Sequence, residues 1–247
     1  MPLELENAVP AMRPRLSEAV LDHIKNKILS GALRPGDELP SETELANAFH
    51  VSKPTVRDAL RHLSVLGLID IRQGRPSTIG QVKADTLSLM FRFAIAGGRQ
   101  KFKDIIEIRK AIECIAAPAA AQNITEEEID ELQKIVSKLQ ESKNKLEEWV
   151  VWDVAFHRFI ANTSRNTLLP FLMDALRGIM EDEIHALYAR KADRDPEKTY
   201  QRHFALANAI MHRDAPLAYS LMQEHFQASE IIVAAQMDDF EYRTLKK

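Results

Sequence analysis

Residues 41–63 read Ser41-Glu42-Thr43-Glu44-Leu45-Ala46-Asn47-Ala48-Phe49-His50-Val51-Ser52-Lys53-Pro54-Thr55-Val56-Arg57-Asp58-Ala59-Leu60-Arg61-His62-Leu63. Ser41 to Glu44 has the form of a capping box, in which Ser41 caps helix amides that Glu44 helps to close, so a short helix is expected to begin there. It should end near Phe49-His50-Val51, because Ser52 is a second N-cap candidate and Pro54 suits the first turn of a new helix. In that new helix Val56, Ala59, Leu60 and Leu63 share one face, while Arg57, Asp58 and Arg61 project from the other. Two short helices joined by a tight turn, the second with basic residues near its start and a polar outer face, suit insertion into a major groove.

Working outward, Leu16, Val20, Ile24 and Ile28 mark an amphipathic helix upstream that stops near Gly31, followed by a Pro35-Gly36 turn. Downstream, Leu68, Ile69 and Ile71, then Ser77 to Ile79, flank a Gly74-Arg75-Pro76 turn and predict a two-stranded wing. From about Lys83 the strand signals vanish. Helical periodicity then runs to the C-terminus, with breaks near Gly97-Gly98, Asn123, Asn162 to Arg165, Asp193 to Pro196, and Asp214 to Pro216. Thr125 with Glu128, and Pro216, are start signals. The expected fold is mainly α: a tail over 1–14, a winged helix-turn-helix over 15–80, and an antiparallel all-α bundle of about seven helices over 81–247.

Length and composition agree with this plan. A chain of 247 residues accommodates two compact units, and 45% hydrophobic with 28% charged residues is ordinary for a soluble protein. No apolar run approaches the roughly 20 residues of a membrane span, and Met1 to Pro14 lacks the basic start and apolar stretch of a secretory signal. The single cysteine, Cys114, fits a reducing cytoplasm and excludes a thiolate metal cluster. The net charge of −3 masks a locally basic segment: between His50 and Gly80, Lys53, Arg57, Arg61, Arg72 and Arg75 stand against Asp58 and Asp70. Where basic residues lie, rather than their total, governs phosphate binding.

Ser52, Lys53 and Thr55 begin the third helix, where side chains reach base edges and amides favour phosphate. Arg57, one turn on, has the geometry to read a guanine bidentately, the alternative for Arg57 and Arg61 being solvated surface charge. The ordered pattern from Leu33-Arg34-Pro35-Gly36-Asp37-Glu38-Leu39-Pro40-Ser41-Glu42 through Leu45-Ala46, Val51-Ser52, Thr55 to Leu60 and Leu66-Gly67-Leu68-Ile69 strongly resembles the GntR family of bacterial transcription regulators. The resemblance implies that Ser52, Lys53, Thr55 and Arg57 approach operator DNA and that Gly74 enters the minor groove; Arg61, Arg72 and Arg75 complete the candidate set. The chain departs from the family at Thr43, where a DNA-contacting arginine is usual, and at the wing tip, where Gly-x-Gly becomes Gly74-Arg75-Pro76.

In the helical part, Asp153 and His157 are spaced i, i+4 beside an apolar stripe, and His203 and His225 lie on or beside apolar faces of two other helices. Together they offer three nitrogens and one oxygen, a set suited to a divalent ion, with zinc ahead of nickel, iron or manganese. The alternative is that they are buried, hydrogen-bonded histidines. The pattern Arg109-x-x-x-Glu113, Asp153-x-x-Phe156-His157, Ser164-Arg165-Asn166, His203 and His225 is similar to the FCD ligand-binding domain of the FadR branch of GntR regulators. In metal-containing members of that branch the residues matching Asp153, His157, His203 and His225 hold a divalent ion, and an acidic metabolite completes its coordination. The acyl-CoA-sensing member lacks this histidine set, which argues against an acyl-CoA effector. Arg109 is a candidate effector anchor, the alternative being an ion pair with Glu113. Asn166 offers an amide to the effector or caps the next helix. His185, Tyr188 and Arg190 are expected near the pocket mouth.

These readings converge on a non-enzymatic, cytoplasmic, homodimeric regulator, expected to repress, that binds double-stranded operator DNA under the control of a small carboxylate effector. Two alternatives stay open: the metal itself as the signal, or a metal-dependent hydrolase in which Glu181 or Glu183 serves as the base.

Overall fold

The computed structural model describes residues 14–72, 74–95, 100–188 and 195–228. Residues 1–13 of the N-terminal tail expected over 1–14, the glycine break at 97–98 and the pocket-mouth residue Arg190 therefore lie outside the described residues, while Pro14 begins the first helix. The chain divides into two compact units between Thr86 and Leu87.

In the first unit, α1 (Pro14–Leu29) and α2 (Glu42–Phe49) pack against α3 (Lys53–Val65). The buried stripe of α1 begins at Val20 and Ile24, whereas Leu16, a turn earlier, is 51% exposed. Val56, Ala59, Leu60 and Leu63 of α3 meet it and are all buried. Local chemistry sets the helix ends. Ser41 and Glu44 form the reciprocal capping box of α2, and His50 closes that helix in the left-handed region, with φ of 51°. Ser52 caps α3 through a bond accepted from the Thr55 amide. The wing pairs β1 (Ile69–Asp70) with β2 (Thr78–Ile79) antiparallel, Ile69 opposite Ile79, and Glu38 bridges to Thr78 on the far side. Ile71, read as a strand residue from sequence, lies beyond the ladder and is 47% exposed. Gly74, at φ of 73°, carries the turn in a conformation that a side chain would strain.

The second unit holds most of α4 (Asp85–Ile95), then α5 (Gln100–Asn123), α6 (Glu126–Ser142), α7 (Leu146–Thr163), α8 (Leu168–Tyr188), α9 (Pro196–Met211) and α10, described over residues 215–228. Among the described residues this makes the seven helices expected, together with one junction that sequence reading passed over. Residues 143–145 separate α6 from α7. Ser142 turns its hydroxyl back onto the Lys138 carbonyl, and Lys145 starts α7 without a side-chain cap, so no cap signature marks the boundary. Helix α7 packs against α5, α6 and α8, with Trp149, Phe156 and Ile160 fully buried. Helix α5 runs through Pro118, flanked by the buried Ala116, Ala117, Ala120 and Ala121, whose small side chains let α7 and α9 approach closely. Among the described residues no helix is long and apolar enough to cross a membrane.

Candidate functional site

The eight residues expected at DNA all fall in the first unit. Ser52 Oγ accepts from the Thr55 amide at 3.3 Å and lies 2.8 Å from the Thr55 hydroxyl, so capping the helix also fixes both hydroxyls at its first turn. Ser52, Lys53, Arg57 and Arg61 are exposed along α3, and Thr55 is half-buried. Arg72, Gly74 and Arg75 are exposed around the wing turn. Arg57 is not simply solvated: its Nε donates to Glu42 Oε1 at 3.1 Å and its Nη2 to Glu42 Oε2 at 2.7 Å. The Arg57 hydrogen bond leads in holding the Glu42 carboxyl below its ordinary value. Burial opposes this, and the charges of Arg57, Lys53 and Arg61 add smaller contributions in the same direction as the hydrogen bond.

In the second unit, Asp153 and His157 from α7, His203 from α9 and His225 from α10 come together in the interior, none more than 8% exposed. The imidazole centroids are 4.7 Å apart for His203 and His225, 5.0 Å for His157 and His225, and 5.6 Å for His157 and His203. One ring nitrogen from each lies within 4.8 Å of the others. Asp153 completes the group, with Oδ1 2.9 Å from His203 Nε2 and Oδ2 3.7 Å from His157 Nε2.

Neighbouring groups fix which nitrogen faces inward. His203 Nδ1 sits 2.8 Å from the Thr199 carbonyl; because a carbonyl only accepts, Nδ1 carries a hydrogen toward it, and Nε2 turns to the centre and to Asp153 Oδ1. His157 Nδ1 abuts Glu113 Oε2, which places its hydrogen toward that carboxylate and turns Nε2 inward. Glu113 is tied in turn to Arg109, whose Nε donates to Oε1 at 3.1 Å and whose guanidinium lies 5.3 Å from the Phe226 ring centroid. His157 Nε2, His203 Nε2 and His225 Nδ1 are buried with no hydrogen-bond partner among the described residues. These three nitrogens lie close enough together that they could hold a metal ion.

The electrostatics set the imidazoles apart from one another. Burial drives His157 toward neutrality, but the Glu113 carboxylate outweighs it and raises the imidazole above its ordinary value. His225 has no such carboxylate, so burial, joined by the charges of His203, His157, Arg109 and Arg202, pushes it well below. Burial works against ionised Asp153 and Glu113, yet the adjacent imidazoles and Arg109 hold both carboxyls below their ordinary range.

Of the remaining sequence candidates, Arg109 adjoins this centre through Glu113. Arg109 is 3% exposed and its guanidinium is engaged by Glu113. Asn166 is exposed, and its Oδ1 accepts from the Leu168 amide at the start of α8, the capping arrangement. His185 lies 3.7 Å from Glu147. Glu181 is half-buried on α8, and the side chains of Glu183 and Tyr188 lie outside the described residues. Two residues gain weight that sequence reading did not give them. Glu113 orients a histidine as well as pairing with Arg109, a role for which the i, i+4 spacing was only half the signal. Glu42 engages Arg57 from another helix, and no local spacing announces that.

Comparison with known proteins agrees with both halves. Residues 16–79 match the profile of bacterial regulatory proteins of the gntR family, and residues 104–228 match the FCD domain. The chain is 31% identical over 233 residues to the HTH-type transcriptional repressor NanR of Klebsiella aerogenes, covering 89% of this chain and 85% of that one. It is 26% identical over 217 residues to the HTH-type transcriptional regulator LutR of Bacillus subtilis, covering 86% and 98%. The solved structure of Streptococcus agalactiae GntR shares the fold, with a TM-score of 0.67 at 23% identity over 86% of this chain and 97% of that one. A groove-sized helix with a basic outer face, a wing, and a helical unit matching the FCD domain thus lead to one conclusion: the chain is a DNA-binding transcriptional regulator of the GntR family with a C-terminal FCD domain.

Proposed function

We propose that this regulator binds an inverted-repeat operator as a homodimer in the bacterial cytoplasm. In this reading, a small organic acid bound at a divalent cation among Asp153, His157, His203 and His225 controls operator affinity. The observation that carries it is the set of three inward imidazole nitrogens, buried and without hydrogen-bond partners. Each such atom costs on the order of 1–3 kcal/mol if left unsatisfied. A cation would relieve all three at once, and a set of three neutral imidazoles with one carboxylate suits zinc first, then nickel, iron or manganese. When bound, the ion supplies Lewis-acid attraction for carboxylate oxygens.

The chain's own residues prepare the place. Thr199 and Glu113 hold the rings of His203 and His157 with their inner nitrogens exposed to the centre. Arg109 contributes positive charge that is felt at Asp153, His157 and His225, which favours an arriving anion. Asn166, already used as a cap, is given no effector role. On the DNA side, Ser52, Lys53, Thr55, Arg57 and Arg61 face the major groove, Gly74 the minor groove, and Arg72 and Arg75 the flanking phosphates. Two-fold symmetry matches one α3 to each half-site. Repression is the expected output, in keeping with the described role of the NanR relative.

Elemental analysis of purified protein tests the centre: about one divalent ion per chain is expected, and it should be lost in both His203→Ala and His225→Ala. Retention in both variants overturns the assignment. A thermal-shift panel of sugar acids, hydroxy acids and dicarboxylates then tests the effector class, since a ligand of the native state raises the melting temperature. A true effector should also change operator affinity by about 5–150-fold, and stripping the metal should abolish that response. A response that survives stripping separates the effector from the ion.

A further inference from the structure

We infer that Glu42 is a positioning residue for base recognition, which holds the Arg57 guanidinium by one edge so that its other edge is presented to a guanine. The inference rests on the reading of α3 as the groove-reading helix and adds a residue to it.

A guanidinium offers two edges that can each donate a parallel pair of hydrogen bonds: a side edge, formed by Nε and the Nη on the same side, and an end edge, formed by the two Nη atoms. Glu42 takes the side edge of Arg57, with Nε at 3.1 Å from one carboxylate oxygen and Nη2 at 2.7 Å from the other. The end edge, Nη1 with the second hydrogen of Nη2, lies outside that pair. Guanine presents O6 and N7 side by side in the major groove, an acceptor pair that matches one such edge. A long, rotatable side chain on the outer face of a helix is otherwise free to sample many directions, and ordering it on binding costs affinity. The carboxylate removes that freedom beforehand.

The placement of Glu42 supports a role in recognition rather than in stability. It sits at the first residue of α2, and Arg57 is fifteen positions later on a different helix, so the pair bridges the two members of the helix-turn-helix. The pair is half-exposed, with side chains 51% and 35% accessible, which limits its contribution to folding. A carboxylate on a DNA-facing surface also opposes phosphate. Non-specific affinity should therefore be lower for its presence, and its benefit must appear in discrimination among bases. The Arg57 hydrogen bond, helped by the charges of Arg57, Lys53 and Arg61, holds its carboxyl below the ordinary value. Thr43, its neighbour, is exposed and carries no charge, so Arg57 is the guanidinium that the two helices bring to this position.

Selection of bound duplexes from a randomised pool, at one fixed salt concentration, tests this with full-length wild type, Arg57→Ala, Glu42→Ala and Glu42→Gln. Wild type should enrich a symmetric motif with a guanine in each half-site whose preference disappears in Arg57→Ala. In both Glu42 variants the preference at that same position should fall by about tenfold, the scale of one bidentate contact. Their affinity for an unrelated duplex should stay level or rise. A purely structural role would instead weaken all sequences alike, and Glu42→Gln, which keeps the shape of the side chain, guards against loss of fold. An Arg57-dependent guanine undiminished in both Glu42 variants overturns the inference while leaving α3 as the reader. Enrichment of no motif at all by wild type overturns the underlying reading instead.

Discussion

The molecule uses the same chemical pair twice, an arginine joined to a glutamate through parallel hydrogen bonds or a close ion pair, in two opposite settings. Arg57 and Glu42 lie on the surface, 51% and 35% accessible, and link two short helices. Arg109 and Glu113 lie in the core, 4% and 1% accessible, one turn apart on α5. In water the first pair adds little to folding, so its consequence lies in how it aims Arg57. In the interior both partners are desolvated and hard to separate, so the second pair is a fixture, and its fixity is passed through Glu113 to the ring of His157. Solvent exposure, rather than residue type, decides whether an arginine is available to a ligand.

Removing the buried partner should therefore have the largest effect. Glu113→Ala removes the carboxylate that engages both Arg109 and His157, and is expected to lower the unfolding free energy by about 3–5 kcal/mol, measured by urea denaturation. Glu113→Gln should fold better yet bind the divalent ion about 10–100-fold more weakly than wild type, by chelator competition, because it can no longer accept from His157 as a carboxylate does. If Glu113→Gln leaves metal affinity untouched, Glu113 belongs to the core alone.

A smaller effect follows from protons. His157 is raised above its ordinary value of 6.5 and His225 is lowered below it. In metal-free protein the raised group contributes stability that is complete below pH 6.5 and lost as pH rises through its folded value. The depressed group has the opposite sense: its contribution is present above pH 6.5 and is lost as pH falls toward its folded value. Metal-free protein should thus be most stable near pH 6.5. Loaded protein should instead lose stability throughout mild acidification, since each histidine ligand must shed its proton to bind. Melting curves from pH 5 to 8, with and without chelator, distinguish the two; superimposable profiles would remove the histidines from metal binding.

The two regions also differ in how openly the sequence displayed them. Ser41, Glu44 and Ser52 announce their helices because capping is decided within four residues, and the structure repeats those bonds. Asp153 and His157 were legible as one helix face, and His203 and His225 as polar residues on apolar faces, because helical periodicity alone places them inside. Periodicity carries no record of what meets across a gap. The approach of Glu113 to His157 and of Glu42 to Arg57 depends on how separate helices pack, and so does the burial of the Arg109–Glu113 pair. The junction at 143–145 escaped for the converse reason: it has no cap to read, and the core around α7 rather than local chemistry imposes it.

The smallest effect is the most diagnostic. Glu42→Ala and Arg57→Ala, separately and together, should each change the unfolding free energy by less than about 1 kcal/mol, and the coupling between them should be about 0.2–1 kcal/mol. The same cycle on Arg109 and Glu113 should give a coupling several times larger, because both charges there are desolvated. A surface coupling as large as the buried one would mean that Glu42 holds α2 to α3 as scaffold. Its effect on guanine preference would then be a consequence of stability, and the contrast between an exchangeable pair and a fixed one would fail.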